Sequence, residues 1–207
     1  MNQLAIVGAS GHGKVVAETA ELCGWQSIVF FDDGISGQKD HGNWPLSGDT
    51  LDLIKALVDY DGVIVAIGNN LNRAEKLNQL RLAGAELVTL IHPAACVSRS
   101  AKIGEGSVIF AGAIVNADVE VEAGVILNTG CSVDHDCYLG RAVHISPGAH
   151  LAGGVRVGDY SWIGIGANVL QEINVGAHAV VGAGAAVVSD VSDTTTVVGV
   201  PAHCIKS

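Results

Sequence analysis

A six-residue repeat runs without a slip through the second half of this chain, and nothing else in the sequence narrows the fold so far. Stepping in sixes from Ile91 gives Val97, Ile103, Ile109, Val115, Val121, Leu127, Val133, Leu139, Ile145, Leu151, Val157, Ile163, Val169, Val175, Val181 and Val187, every one of them Ile, Val or Leu. The position two residues before each anchor is restricted as well, as Ala95, Ala101, Ser107, Ala113, Cys131, Cys137, Ala149 and Ala167 illustrate. A Gly follows the anchor at Gly104, Gly140, Gly158, Gly164, Gly176 and Gly182. A period of six fits neither a 3.6-residue helix nor a hairpin sheet; it is a signature of parallel β-helices. Each hexapeptide supplies one short strand and a turn, and three close a triangular coil of eighteen residues. The anchors are expected to point inward and to be buried, with the smaller residue packed beside them and coils stacked at the strand spacing of about 4.8 Å. The repeat spans 91–192 and makes between five and six coils, leaving 193–207 as a C-terminal tail. Cys131 and Cys137 fall in the small interior slot, so their expected role is packing.

Residues 1–90 follow a different pattern. Leu4–Gly8 reads as a buried strand, then comes the loop Gly8-Ala9-Ser10-Gly11-His12-Gly13 and a helical stretch from Lys14 to Cys23. A second apolar run, Ser27–Phe31, ends in Asp32-Asp33, and a helix is expected around Thr50–Val58. A third strand, Gly62–Ile67, leads through Gly68-Asn69-Asn70 into a helix reaching Ala83, and Leu87–Ile91 reads as a last strand. Strands alternating with helices predict a small parallel α/β sheet resembling half a Rossmann fold. Ligands of such sheets sit at the carboxyl ends of the strands, where all three loops fall. Gly8–Gly13 opens a helix, whose free N–H groups and dipole favour phosphate. Its spacing is GxxGxG rather than the GxGxxG of dinucleotide sites. Asp32 is suited to a ribose or the N–H of a base.

Composition excludes several classes of function. The formal charge is −10 and Lys and Arg are nowhere clustered, so nucleic acid and anionic membrane surfaces are poor partners. No apolar run approaches the roughly 18 residues of a membrane span, and the N-terminus lacks the basic start and apolar stretch of a signal peptide. Five cysteines without a CxxC pair argue against a disulfide framework or a zinc site, and the chain reads as a reduced cytoplasmic protein that needs no metal.

The chemistry-bearing candidate is His135, in Asn128-Thr129-Gly130-Cys131-Ser132-Val133-Asp134-His135-Asp136-Cys137. With Val133 and Cys137 inward, His135 lies on the turn side. Flanking carboxylates orient an imidazole and raise its basicity, as a general base near neutral pH requires. His144, nine residues on, points to another side of the prism, so the two rings meet only across a subunit interface. His150 and His178 read as surface residues.

These motifs resemble those of bacterial sugar O-acyltransferases of the sialic acid O-acetyltransferase type. The likeness is strongest to the branch that N-acetylates nucleotide-linked amino sugars, such as the UDP-4-amino-4,6-dideoxy sugar on the way to bacillosamine. It rests on Gly8–His12, Asp32-Asp33, Ala66–Asn70, Asn128–Cys137, the hexapeptide run and Gly199-Val200-Pro201-Ala202. The resemblance implies an α/β half-Rossmann domain followed by a left-handed parallel β-helix, assembled as a homotrimer with acetyl-CoA between neighbouring β-helices. It implies His135 as general base and Asp136 as the residue that increases its basicity; some relatives have Glu there. His144 and Gly153 match positions that contact acetyl-CoA. Ser10, Gly11, His12, Asp32, Asp33 and Gly68 match positions that bind the nucleotide of the acceptor. The expected reaction is direct acetyl transfer without a covalent intermediate, a backbone N–H or His144 holding the thioester carbonyl. The same residues also suit O-acetylation of sialic acid or a related sugar. A β-helix carbonic anhydrase, which needs a histidine triad, and a non-catalytic nucleotide-binding module are the other readings.

Overall fold

The computed structural model describes residues 2–34 and 40–206. The chain divides into two compact units, Met1–His92 and Pro93–Ser207.

The first unit is built from β1 (Gln3–Val7), α1 (Gly11–Leu22), β2 (Ser27–Phe31), β3 (Asp40–His41), β4 (Trp44–Gly48), α2 (Thr50–Lys55), β5 (Gly62–Val65) and α3 (Asn70–Leu82). Its sheet runs β3-β4-β2-β1-β5, parallel throughout except for the β3–β4 hairpin. Leu4, Ala5, Ile6 and Phe30 are fully buried, as expected of a parallel strand covered on both faces. The β3–β4 hairpin is absent from the sequence reading, because Pro45 and Gly48 break the strand pattern. Helix α1 begins at Gly11 rather than Lys14, so the glycine loop itself forms the first turn. Of the strand expected over Leu87–Ile91, only Leu90–Ile91 forms, with a single bridge from Leu87 to Val63.

The second unit is a left-handed parallel β-helix with three sheets. One stacks Cys96–Val97, Ile114–Val115, Ser132–Val133, His150–Leu151, Asn168–Val169 and Ala186–Val187. The next stacks Lys102–Ile103, Glu120–Val121, Tyr138–Leu139, Arg156–Val157 and Asn174–Val175. The third runs from Val108–Ile109 through His144–Ile145 and Trp162–Ile163 to Val180–Val181. Partners lie one coil apart in register, as Val115 to Val133 to Leu151 shows. The anchors from Ile109 to Val187 are at most 5% exposed. Burying such a side chain contributes about 1.5–3 kcal/mol, so the prism is a continuous source of stability. One expectation needs correction. Ile91 is 39% exposed and Val97 and Ile103 are only half-buried, because an end coil has a neighbour on one side alone. The residues after 192 extend the third sheet. Thr196–Val198 adds to the third sheet beside Val180–Val181, and His203–Lys206 folds back antiparallel to it.

The polar occupants of the small interior slot are satisfied. Ser161 donates to the carbonyl of Gly176 at 2.6 Å and accepts the N–H of Ala179 at 2.9 Å. Burial pushes the thiols of Cys131 and Cys137 up to about 12 and about 11, which leaves them as inert packing groups.

Each turn places one residue, three after the anchor, in the left-handed region. Every sixth residue from Gly106 to Gly184 has φ between 50° and 71°. Gly fills most of these positions, whereas Asp118, Asp136, Ala142, Tyr160, Glu172 and His178 occupy the rest. The glycines directly after the anchors serve another purpose. A Cβ at Gly158, for instance, would lie 2.5 Å from the backbone nitrogen of Ala177 in the next coil.

Candidate active site

Two groups of polar residues stand out, one in each unit, and each is described within its own unit.

In the β-helix, His135 and Asp136 form the turn between the strands Ser132–Val133 and Tyr138–Leu139. Asp136 occupies the left-handed position at φ 59°. A non-glycine residue there costs about 1–2 kcal/mol, and Asp tolerates it better than most. In return its carboxylate faces the ring of its own neighbour: His135 Nδ1 lies 2.7 Å from Asp136 Oδ2. With Nδ1–H donating to that carboxylate, Nε2 is the acceptor presented outward. The His135 side chain is 61% exposed. Asp134 accepts the backbone N–H of His135 and the amide of Asn116, both at 2.9 Å, which fixes the turn from the other side. The hydrogen bond that His135 donates to Asp136, and then the charge of Asp134, raise the His135 pKa above its ordinary value.

Gly153 stands one coil further along the same corner, close against that ring. A Cβ on Gly153 would lie 2.6 Å from His135 Cε1, 2.7 Å from Nε2 and 3.2 Å from Nδ1. The position thus acts as the seat of the imidazole.

His144 belongs to a different sheet and is buried. Its Nε2 is 3.1 Å from Asn128 Nδ2, and its ring leans on Trp162 at 4.3 Å between centroids. Asn128 Oδ1 accepts the N–H of Thr129, so the amide of Asn128 donates and His144 Nε2 accepts. Beside this group lies a cleft of about 600 Å³ walled by His144, Pro147, Trp162, Ile165 and Val180. His135 and His144 therefore stand on different sides of the prism. His150 stays on the surface, where its Nδ1 lies 2.8 Å from Ser132 Oγ. Among the described residues, no three His, Cys, Asp or Glu side chains are grouped to hold a metal ion.

In the α/β unit, Ser10–His12, Asp32-Asp33 and Gly68 lie at the ends of β1, β2 and β5. Gly8 takes φ +114°, and a Cβ there would lie 2.7 Å from the carbonyl oxygen of Ala66; a Cβ on Gly13 would collide with the carbonyl of Gly8. Gly11 and Gly68 differ from these two, since a Cβ on either meets no atom of the described residues within 4 Å. Ser10 caps α1 through its backbone alone, with no side-chain hydrogen bond to the first turn. Asp32 is a loop clamp. Its Oδ2 accepts the N–H of Ala9 at 2.7 Å and its Oδ1 that of Gly34 at 2.8 Å. Asp33 accepts Thr50 N–H at 2.8 Å and Lys76 Nζ at 2.7 Å. Burial pushes its carboxyl up, but the bonds from Lys76 and Thr50 outweigh this and hold it at about 2. His12 is lowered to about 4 by burial and then by the charge of Arg73, so it is neutral at physiological pH.

Arg73 itself was not among the sequence candidates. It is 1% exposed and its Nη1 donates to the carbonyls of Ile67 at 2.8 Å and Gly68 at 3.0 Å. Its Nη2 donates to Asn70 Oδ1 at 2.8 Å. The one signal in the sequence was a cation on the helix face that also carries Ala74, Leu77 and Leu80.

Comparison with known proteins adds three observations. The family described as the PglD N-terminal domain matches residues 3–80. UDP-N-acetylbacillosamine N-acetyltransferase of Bacillus subtilis is 39% identical over 115 residues, which is 54% of this chain and 52% of that enzyme, so the chain spans about half of that relative's length. Among solved structures, the acetyltransferase domain of PglB from Neisseria gonorrhoeae in complex with acetyl coenzyme A is 46% identical, covering 99% of both chains with a TM-score of 0.95. PerB from Caulobacter crescentus, in complex with CoA and GDP-perosamine, is 39% identical over 99% of this chain and 97% of its own, with a TM-score of 0.94.

Proposed function

The chain belongs to the hexapeptide-repeat sugar acetyltransferase family that includes the PglB acetyltransferase domain and PerB, and we propose that it transfers the acetyl group of acetyl-CoA to the amino group of a nucleotide-linked amino sugar. The observation that carries this reading is the His135–Asp136 pair, seated on Gly153, with Nε2 presented outward. As the amine attacks the thioester carbonyl, His135 Nε2 takes the proton the nitrogen loses. Asp136 stabilises the imidazolium through Nδ1. Collapse of the tetrahedral adduct breaks the C–S bond, and the imidazolium returns its proton to the departing thiolate of CoA. The thiols nearest in sequence, Cys131 and Cys137, are buried and stay protonated, which favours direct transfer over a covalent intermediate.

In this reading the first unit takes the nucleotide. The glycine loop with Ser10, Gly11 and His12, the Asp32-Asp33 turn and Gly68 surround the carboxyl ends of its strands, and the open space at Gly11 and Gly68 admits the ligand's approach. A UDP-4-amino-4,6-dideoxy sugar is the acceptor proposed, from the likeness to the bacillosamine enzyme. Acetyl-CoA lies along the cleft at His144, and Gly153, on another side of the prism, comes to its acetyl end only across the subunit interface. The protein works as a homotrimer whose neighbouring β-helices close that groove. Ile114, Ile165, Leu170 and Val180 support the assembly: they are large apolar side chains 40–58% exposed on the prism, and Ile165 and Val180 also wall the cleft. The five cysteines are free thiols, which suits the cytoplasm as the site of action, and no described helix is long and apolar enough to cross a membrane.

The test is release of free CoA with a panel of UDP-, GDP-, dTDP- and CMP-linked sugars carrying amino or hydroxyl acceptors, with His135→Ala as control. Release with an amino-sugar nucleotide, abolished in the control, is the expected outcome. Release with hydroxyl acceptors alone would overturn the assignment to nitrogen, and no release with any acceptor would overturn the enzymatic reading.

A further inference from the structure

We propose that Arg73 is a positioning residue of the first unit: buried beneath the 67–70 loop, it turns two backbone N–H groups toward the diphosphate of the acceptor. This rests on the nucleotide-sugar reading above. A guanidinium with 1% exposure is expensive to bury, and it is retained only where its donors are used. Here one nitrogen, Nη1, reaches the carbonyls of Ile67 and Gly68 together, and Nη2 holds Asn70 Oδ1.

The consequence follows from peptide geometry. In a planar trans peptide the C=O and the N–H point in opposite directions. The carbonyl of Ile67 shares its peptide with the N–H of Gly68, and the carbonyl of Gly68 shares its own with the N–H of Asn69. Drawing both oxygens onto the guanidinium therefore turns both N–H groups away from it. Neither N–H donates to an acceptor among the described residues. A Cβ on Gly68 would meet no atom of the described residues within 4 Å, so among these residues the loop is uncovered at that point. Two adjacent amides aimed the same way, above a buried positive charge, form a receptor for an anion. Asn69 adds rigidity by accepting the N–H of Asn72 at the start of α3. The same guanidinium charge acts on His12 in the glycine loop.

Calorimetric binding of UDP and GDP, set beside uridine and guanosine, tests this on the full chain. Wild type and two variants are compared: Arg73→Met, which removes charge and donors, and Arg73→Lys, which keeps the charge and can replace Nη1 alone. Arg73→Met frees both loop carbonyls and should weaken the diphosphate about tenfold, with little change for the nucleoside. Arg73→Lys should show a smaller loss with the same bias, and it keeps the test open if Arg73→Met does not fold. In turnover, KM for the sugar nucleotide should rise while KM for acetyl-CoA and kcat hold. Equal loss for nucleoside and diphosphate, or an unchanged diphosphate affinity, would overturn the role of Arg73 alone. A wild-type protein that binds no nucleoside diphosphate would overturn the nucleotide reading together with it.

Discussion

Replacing Gly153 with Ala isolates what the seat of His135 contributes. The added Cβ would lie 2.6 Å from Cε1 and 2.7 Å from Nε2 of the ring, whereas unbonded carbon atoms rest at about 3.5–4.0 Å. Gly153 is not among the residues at positive φ, so the alanine strains no backbone and its effect falls on the ring. The ring is the side able to yield, because its side chain is 61% exposed. It must retreat by about 1 Å, which carries Nε2 off its line and pulls Nδ1 from Asp136. Misplacement on that scale costs about 10²-fold in rate, close to the lower end of the 10²–10⁴ contributed by a positioned general base. The assay is initial-rate CoA release with the amino-sugar nucleotide, with thermal unfolding and acetyl-CoA titration alongside. kcat should fall about a hundredfold with the unfolding midpoint nearly unchanged. Adding Gly153→Ala to His135→Ala should take away nothing more, because the two changes act through one ring. A normal kcat with a raised KM for acetyl-CoA would refute the seat and make Gly153 a cofactor contact only. Additive losses in the double variant would refute it as well.

Asp136→Asn should move the acid limb of the kcat–pH profile to lower pH. The base works in its neutral form and its pKa is raised by Asp136, so losing that carboxylate lowers the pH at which the imidazole protonates; an unmoved limb would mean that the limb belongs to another group. His135→Ala should lower kcat by about 10²–10⁴ while acetyl-CoA affinity, measured by calorimetry, holds. Gly11→Val should raise KM for the sugar nucleotide far more than KM for acetyl-CoA, because the open space at Gly11 is assigned to the ligand. Val133→Asp puts a charge at a fully buried anchor between Val115 and Leu151, a loss of several kcal/mol visible as unfolding or aggregation in light scattering and thermal melts.

The β-helix was legible because its rule is local and repeats. An inward aliphatic every six residues fixes strand, turn and coil at once, and contacts one coil apart follow by adding eighteen. His135 stood out because it is an imidazole between two carboxylates, on the turn side of a glycine-rich β-helix with few other titratable residues. The same arithmetic puts Gly153 one coil from His135, but only the coordinates show the ring lying against it. Sequence also left the two glycine classes undivided. Gly158 keeps the next coil's backbone at a distance, whereas the position of Asp136 demands a left-handed turn, and composition alone does not distinguish clearance from conformation. In the α/β unit no repeat carries information from one segment to another. That Asp32 clamps Ala9, that Asp33 holds Lys76, and that Arg73 is buried under a loop were decided by how unlike segments pack. Burial of a charge depends on everything around it, so a sequence that wrote the prism in plain periodicity left the buried guanidinium of Arg73 to the tertiary structure.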